Sequence, residues 1–179
     1  TARRAKDLFG REHVEAHGAE PGFLTKLLDS AVRLPLQAHP DRETAQRLYG
    51  SPYGKTEAWM VLETRRIDDE DPYLLLGFNE TLDRDTFVKD CLAGEMQRPL
   101  SMVHRPTVQP GDVLLLHGGL VHAIGPGVFL VELMEPTDLV TQPDRFCGRQ
   151  PLTEQDRFGA ITPERAMEVF DYRPATKEE

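Results

Sequence analysis

Apolar and polar positions alternate in several short stretches of this chain and recur at helical spacing in others. In RLPLQAH (33–39), Leu34, Leu36 and Ala38 fall on one face of a strand and Gln37 and His39 on the other. EAWMVLET (57–64) repeats the rhythm, with Glu57, Trp59 and Val61 alternating against Ala58, Met60 and Leu62. YLLLGF (73–78) is a short apolar strand bounded by Gly77. Residues 101–140 supply three strand candidates separated by Pro110-Gly111, Gly118-Gly119 and Gly125-Pro126-Gly127, the rhythm of a small β-barrel.

Helical signals punctuate these strands. DRETAQRLYG (41–50) has Asp41 as N-cap and Gly50 as stop. TLDRDTFVKDCLAGE (81–95) is capped by Asp83 or Asp85, gathers Phe87, Val88, Cys91 and Leu92 on one face, and stops at Gly94. TPERAMEVF (162–170) opens with Thr162 as N-cap and Pro163 at the first helical position. Residues 1–17 form a weakly amphipathic helix that Gly10 cuts short, and the terminal ATKEE is expected to be disordered. In FLTKLLDSAVRL (23–34), Leu24, Leu27, Leu28, Ala31 and Val32 fit helical spacing better than alternation, so pattern alone predicts a helix.

A chain of 179 residues is one domain, 1–179, large enough to bury a core without metal or disulfide staples. Its 21 basic against 30 acidic residues, net −9, disfavour nucleic-acid and anionic-membrane partners, so a phosphate-bearing substrate would need a local basic pocket. No apolar run is long enough to span a membrane. Cys91 and Cys147 make no metal-type pair, and with no signal peptide the expectation is a reducing cytoplasm, with Cys91 buried.

Candidate chemistry gathers between Leu34 and Trp59. Gln37 and His39 share one wall of a strand, Glu57 can face the same cavity, and Lys55, two residues before Glu57, can turn inward with it. His122 supplies a third donor. Two imidazoles, a carboxylate and one further position make the ligand set of a catalytic zinc site. Spacing alone leaves open that His39 and His122 are hydrogen-bonded core histidines and Glu57 a solvated acid. His13 and His17 stand one helical turn apart, but with no third ligand nearby they read as a solvated face.

Three motifs add a resemblance. QAHPD (37–41), YGKTEAW (53–59) and the run Gly111, His117, Gly119, His122 resemble signatures of the type I mannose-6-phosphate isomerases, zinc enzymes of the cupin superfamily. The match spans about Phe23 to Asp138. It implies a mainly β, cupin-type jelly-roll β-barrel with helical insertions, the one at about 82–95 lying beside the barrel, and a C-terminal helix at about 162–170. It implies zinc held by His39, Glu57, His122 and Gln37, and an extended arm at 23–28 that brings Lys26 into the site. Family members are usually longer ahead of Phe23, so a chain opening at Thr1 is expected to be a fragment or a compact member.

The same resemblance implies interconversion of mannose 6-phosphate and fructose 6-phosphate through an enediolate. Glu132 is then the base, and its parity with Val128, Leu130 and Met134 points it inward. Lys26 and Lys55 would hold hydroxyls or phosphate, and a monomer or homodimer is expected. The family's catalytic arginine stands twenty positions after the second histidine, where this chain has Gln142. Arg145 is the candidate substitute for that cation, though it and Arg149 also read as solvated loop arginines. The alternative is a metal cupin that binds a sugar or sugar phosphate without turning it over. An iron-dependent cupin dioxygenase is disfavoured by Gln37, which stands where those proteins usually place a first histidine.

Overall fold

The structure is a computed structural model, and it describes residues 4–175. The acidic end at 176–179, where disorder is expected, lies outside the described residues. Two short helices open the chain, α1 (Ala5–Phe9) and α2 (Arg11–His17), separated at Gly10. Then follow β1 (Leu24–Asp29), α3 (Arg42–Tyr49), β2 (Glu57–Thr64), β3 (Leu74–Phe78), α4 (Arg84–Ala93) and α5 (Gln97–Ser101). The second half carries β4 (Val103–His104), β5 (Val113–Leu116), β6 (His122–Ile124), β7 (Val128–Met134), β8 (Phe146–Cys147), β9 (Gln150–Pro151), α6 (Glu154–Phe158) and α7 (Pro163–Ala166). A 3₁₀ turn, Met167–Val169, completes the C-terminal helical segment.

Helices α3 and α4 end where their sequences direct. Asp41 and Asp83 accept from the backbone N–H groups of Thr44 and Thr86, and Gly50 and Gly94 close the helices in the left-handed conformation. Phe87 and Cys91 of α4 are fully buried against Phe78 and Phe170, which fixes the helical insertion to the side of the sheets. Asp90, on the same helix, is buried and accepts from Arg98 Nε and Nη2 at 2.5 and 2.6 Å.

The segment at 23–34 goes against its apolar spacing and agrees with the extended arm that the family resemblance implies. Leu24–Asp29 is a strand, paired in antiparallel register with β7 from Leu24↔Met134 to Asp29↔Phe129. Backbone pairing with a distant strand outweighs local periodicity here. The resulting sheet has the order β1-β7-β2-β5, and a second has the order β4-β3-β6. Trp59, Val61, Leu116 and Leu130 of the first pack against Leu74 and Ile124 of the second in one apolar layer. A separate core beneath the helices joins Leu36, Ala38, Phe78, Phe87, Phe158 and Phe170.

Three expectations require correction. The sheets are antiparallel, but among the described residues no ladder closes them into a barrel, and helical segments take up as much of the chain as strands do, so "mainly β" overstates the strand content. The predicted strand at 33–39 survives only as isolated bridges, Gln37↔His122 and Ala38↔Thr141. Prolines at 35 and 40 lack the N–H a ladder needs, and the Leu36 N–H goes to the buried Asp144 carboxylate at 2.7 Å. Residues 101–140 contain four strands rather than three, because a two-residue strand at Val103–His104 precedes the others. Among the described residues no helix is long and apolar enough to cross a membrane.

Candidate functional site

The bridging segment at 37–39 and β6 determine where the two histidines meet. Gln37 and His122 exchange both backbone hydrogen bonds, at 2.9 and 2.8 Å, and Ala38 does the same with Thr141. The turn before β6 is pressed against the chain following His39. A Cβ on Gly118 would lie 2.5 Å from the Asp41 backbone, and the Gly119 N–H donates to the His39 carbonyl at 2.6 Å. The ring centroids of His39 and His122 are consequently 5.0 Å apart.

Glu57 reaches the pair from the first residue of β2, where strand alternation turns Glu57, Trp59 and Val61 inward. His39, Glu57 and His122 are all buried, and a ligand atom of each lies within 4.8 Å of the others. His122 Nε2 is 3.2 Å and His39 Nε2 3.7 Å from Glu57 Oε1. The Nδ1 atoms face outward, His39 to the Leu139 carbonyl at 2.7 Å and His122 to the Leu120 carbonyl at 2.8 Å. A carbonyl only accepts, so both Nδ1 atoms donate, and both Nε2 atoms are turned toward the carboxylate.

Burial, then the charges of Lys55 and His122, holds the His39 imidazole well below its ordinary range, which keeps the ring neutral. Burial alone pushes the Glu57 carboxyl up, but neighbouring His122, His39 and Lys55 outweigh it and hold the group far below the ordinary carboxylate range. Both Glu57 oxygens are buried without a hydrogen bond of good geometry. Two oriented imidazole nitrogens, an ionised carboxylate and carbonyl partners behind the rings fit a divalent metal such as zinc. The Gln37 amide lies beside the group, its nitrogen 3.2 Å from His122 Nε2.

Next to this group lies a lysine and carboxylate pair. Lys55, only 5% exposed, extends its Nζ to 2.9 Å from His39 Nε2, 3.1 Å from Glu57 Oε2 and 3.9 Å from Glu132 Oε1. Glu132 is buried on β7, and burial together with the negative charge of Glu57 pushes its carboxyl up. Lys26, directly across the ladder from Glu132, sits 3.8 Å from Glu132 Oε1 and 2.7 Å from Asp138. Lysines and carboxylates therefore alternate from Glu57 through Lys55, Glu132 and Lys26 to Asp138.

The remaining sequence candidates have other partners. The Gln142 amide donates to the Asp156 carbonyl at 2.8 Å. The Arg145 guanidinium donates to the Ala93 carbonyl at 2.7 Å and packs on Gly94 at the end of α4. His13 Nε2 meets the Glu20 carbonyl, and the His13 and His17 rings lie 5.1 Å apart on α2.

Three contacts escape the sequence reading. The Trp59 Nε1–H donates to Glu132 Oε2 at 3.1 Å. Glu135 accepts from the Thr56 N–H at 3.0 Å and from Arg42 at 2.6 Å, and so ties the Lys55–Glu57 segment to β7 and α3. Asp144 accepts from both Arg33 and the Leu36 N–H behind Gln37. For Trp59 the signal is its shared parity with Glu57. The other two depend on contacts between residues far apart in sequence, for which no local pattern exists.

Comparisons with known proteins agree with this picture. No family model matches the chain. The mannose-6-phosphate isomerase ManA of Bacillus subtilis is 30% identical over 133 residues, covering 74% of this chain and 38% of its own length. The mannose-6-phosphate isomerase of Streptococcus mutans is 28% identical over 163 residues, covering 89% of this chain and 48% of its own. The chain thus spans less than half the length of either. Among solved structures, a variant of phosphomannose isomerase from Salmonella typhimurium superposes with a TM-score of 0.70 over 100% of this chain and 62% of that one, at 15% identity, a likeness of fold. With sequence and fold in agreement, the chain belongs to the type I mannose-6-phosphate isomerase family of the cupin superfamily.

Proposed function

We propose that the protein is a zinc-dependent aldose-ketose isomerase that interconverts mannose 6-phosphate and fructose 6-phosphate. The observation that carries this reading is the buried convergence of His39, Glu57 and His122 beside an inward-facing Glu132. His39, Glu57 and His122, with the Gln37 amide alongside, would hold the metal. Zinc bound there supplies Lewis-acid polarisation of the sugar carbonyl oxygen.

In this reading Glu132 moves the proton. Its Oε1 takes the proton from C2 of mannose 6-phosphate, and negative charge moves onto O1 to give an enediolate. The O2 hydroxyl proton then passes to O1 and Glu132 returns its proton to C1, leaving a C2 ketone. Glu132 Oε2 is held by Trp59, so the carboxylate keeps one oxygen free for this work. A pKa raised by burial makes it a stronger base than an exposed carboxylate. In the same reading Lys55 holds a substrate oxygen carrying developing charge and Lys26 a hydroxyl or the phosphate, supported by their positions beside Glu57 and Glu132.

The contacts of Gln142 and Arg145 favour a second reading, a non-catalytic metal cupin that binds a sugar or sugar phosphate. Gln142 is neutral and engaged with Asp156, and Arg145 directs a guanidinium N–H to the Ala93 carbonyl at the end of α4, contacts that favour a site without the charge expected of the family arginine. A coupled assay of fructose 6-phosphate formation on protein of known metal content separates the readings. Turnover that rises with zinc content supports the isomerase. Bound mannose 6-phosphate without turnover, in protein carrying one zinc, replaces it with the binding cupin.

A further inference from the structure

The four-stranded sheet is covered on one face by the three-stranded sheet, and its opposite face carries an array of large apolar side chains. Register places Leu27, Val131, Met60 and Val113 in one row across β1, β7, β2 and β5, and Leu133, Ala58 and Leu115 in the next, with Thr25 beside Leu133. Val113 is 71%, Leu27 66% and Leu115 57% exposed. Strand alternation alone does not account for this face, because an antiparallel sheet with one wet side normally alternates apolar with polar residues. Neither row contains a charged side chain, in a chain of net charge −9.

We propose that this face is the contact surface of a homodimer, in which the sheets of two copies pack face to face across a two-fold axis. Net negative charge drives copies apart, and the two rows let them approach without acid meeting acid. A two-fold contact needs one self-complementary patch, which an uncharged apolar sheet face provides. The exposed parts of these side chains offer on the order of 500 Å² of apolar surface, in the upper part of the range for a monomer's largest patch. Two such faces pressed together bury roughly 1,000 Å², the lower end of a specific interface, so association is weak and concentration-dependent. Asp29 and Arg65, paired at 2.6 Å beyond the end of the rows, form part of a polar rim.

Sedimentation equilibrium on the 179-residue chain tests the proposal. The expected result is a mass rising from one chain toward two, with half-association at about 1 to 100 μM. The double variant Leu27→Lys, Val113→Lys introduces like charges on the exposed face and should raise the half-association concentration at least tenfold, with its far-ultraviolet circular dichroism unchanged. Met60→Lys, in the middle of the row, should do the same. A wild-type mass fixed at one chain up to several hundred micromolar overturns the proposal, as does association of folded lysine variants at wild-type strength.

Discussion

Trp59 and Glu132 face each other across β2 and β7, and the indole N–H holds one carboxylate oxygen at 3.1 Å while the other lies within 4 Å of both Lys26 and Lys55. The hydrogen bond leaves the two carboxylate oxygens in different surroundings, one anchored by the indole and one facing the two lysines. Trp59 is 1% exposed, so the donor is rigid. Trp59→Phe keeps most of the buried ring and removes the donor. Expected are a loss of about 1–3 kcal/mol in stability, from a buried charged acceptor left without its partner, and a turnover reduced about tenfold with little change in KM. Denaturant unfolding and steady-state kinetics on the same variant check both. Unchanged turnover would remove Trp59 from any positioning role.

Metal affinity provides a second test. His122→Ala deletes one oriented Nε2 and leaves His39 as the one imidazole beside Glu57. Zinc affinity is expected to fall at least a hundredfold, measured by competition with a chromophoric chelator. Wild-type retention of zinc would show that His122 is not a ligand.

Asp90 and Arg98 allow a prediction about stability and pH. The hydrogen bonds from Arg98 hold the Asp90 carboxyl below its ordinary value. Because the folded-state pKa is depressed, the stabilisation is present above the unfolded carboxylate pKa of about 3.9 and is lost as pH falls through the folded value. Asp90→Asn should therefore be less stable than wild type at neutral pH, and the gap should narrow as pH falls below about 4. Thermal unfolding between pH 7 and pH 3 measures it, and a gap independent of pH would contradict the assignment.

Gln142 and Arg145 can be tested together. Loss of one charge-stabilising group commonly costs on the order of a hundredfold in turnover, so Gln142→Arg is expected to raise turnover by up to about that factor. Arg145→Ala, which removes a guanidinium engaged with the end of α4, should change turnover less than about twofold. The opposite pattern, activity abolished by Arg145→Ala and unmoved by Gln142→Arg, would locate the cation at Arg145.

Much of this architecture was legible in the chain because the signals are local. Asp41 with Gly50 and Asp83 with Gly94 bracket their helices, and strand alternation turns Glu57 and Trp59 inward. What was not legible depends on partners distant in sequence. Apolar spacing at 24–32 reads as a helix, so the extended arm was legible only through the family resemblance, and it is pairing with β7, about a hundred residues away, that makes Leu24–Asp29 a strand. The strand expected at 33–39 is reduced to isolated bridges because Pro35 and Pro40 lack an N–H and the Leu36 N–H is diverted to Asp144. The links from Trp59 to Glu132, from Lys26 to Asp138 and from Glu135 to Thr56 all cross between elements, so no spacing rule predicts them.

In the proposed function Glu132 moves a proton between adjacent sugar carbons beside a metal held by His39, Glu57 and His122. Nuclear magnetic resonance of mannose 6-phosphate in deuterium oxide, with protein carrying one zinc per chain, follows that proton. Expected are formation of fructose 6-phosphate with deuterium at C1 and deuterium at C2 of recovered mannose 6-phosphate, both abolished in zinc-loaded Glu132→Gln. Deuterium exchange and conversion at wild-type rates in Glu132→Gln, or neither process in the zinc-loaded wild type, would contradict it.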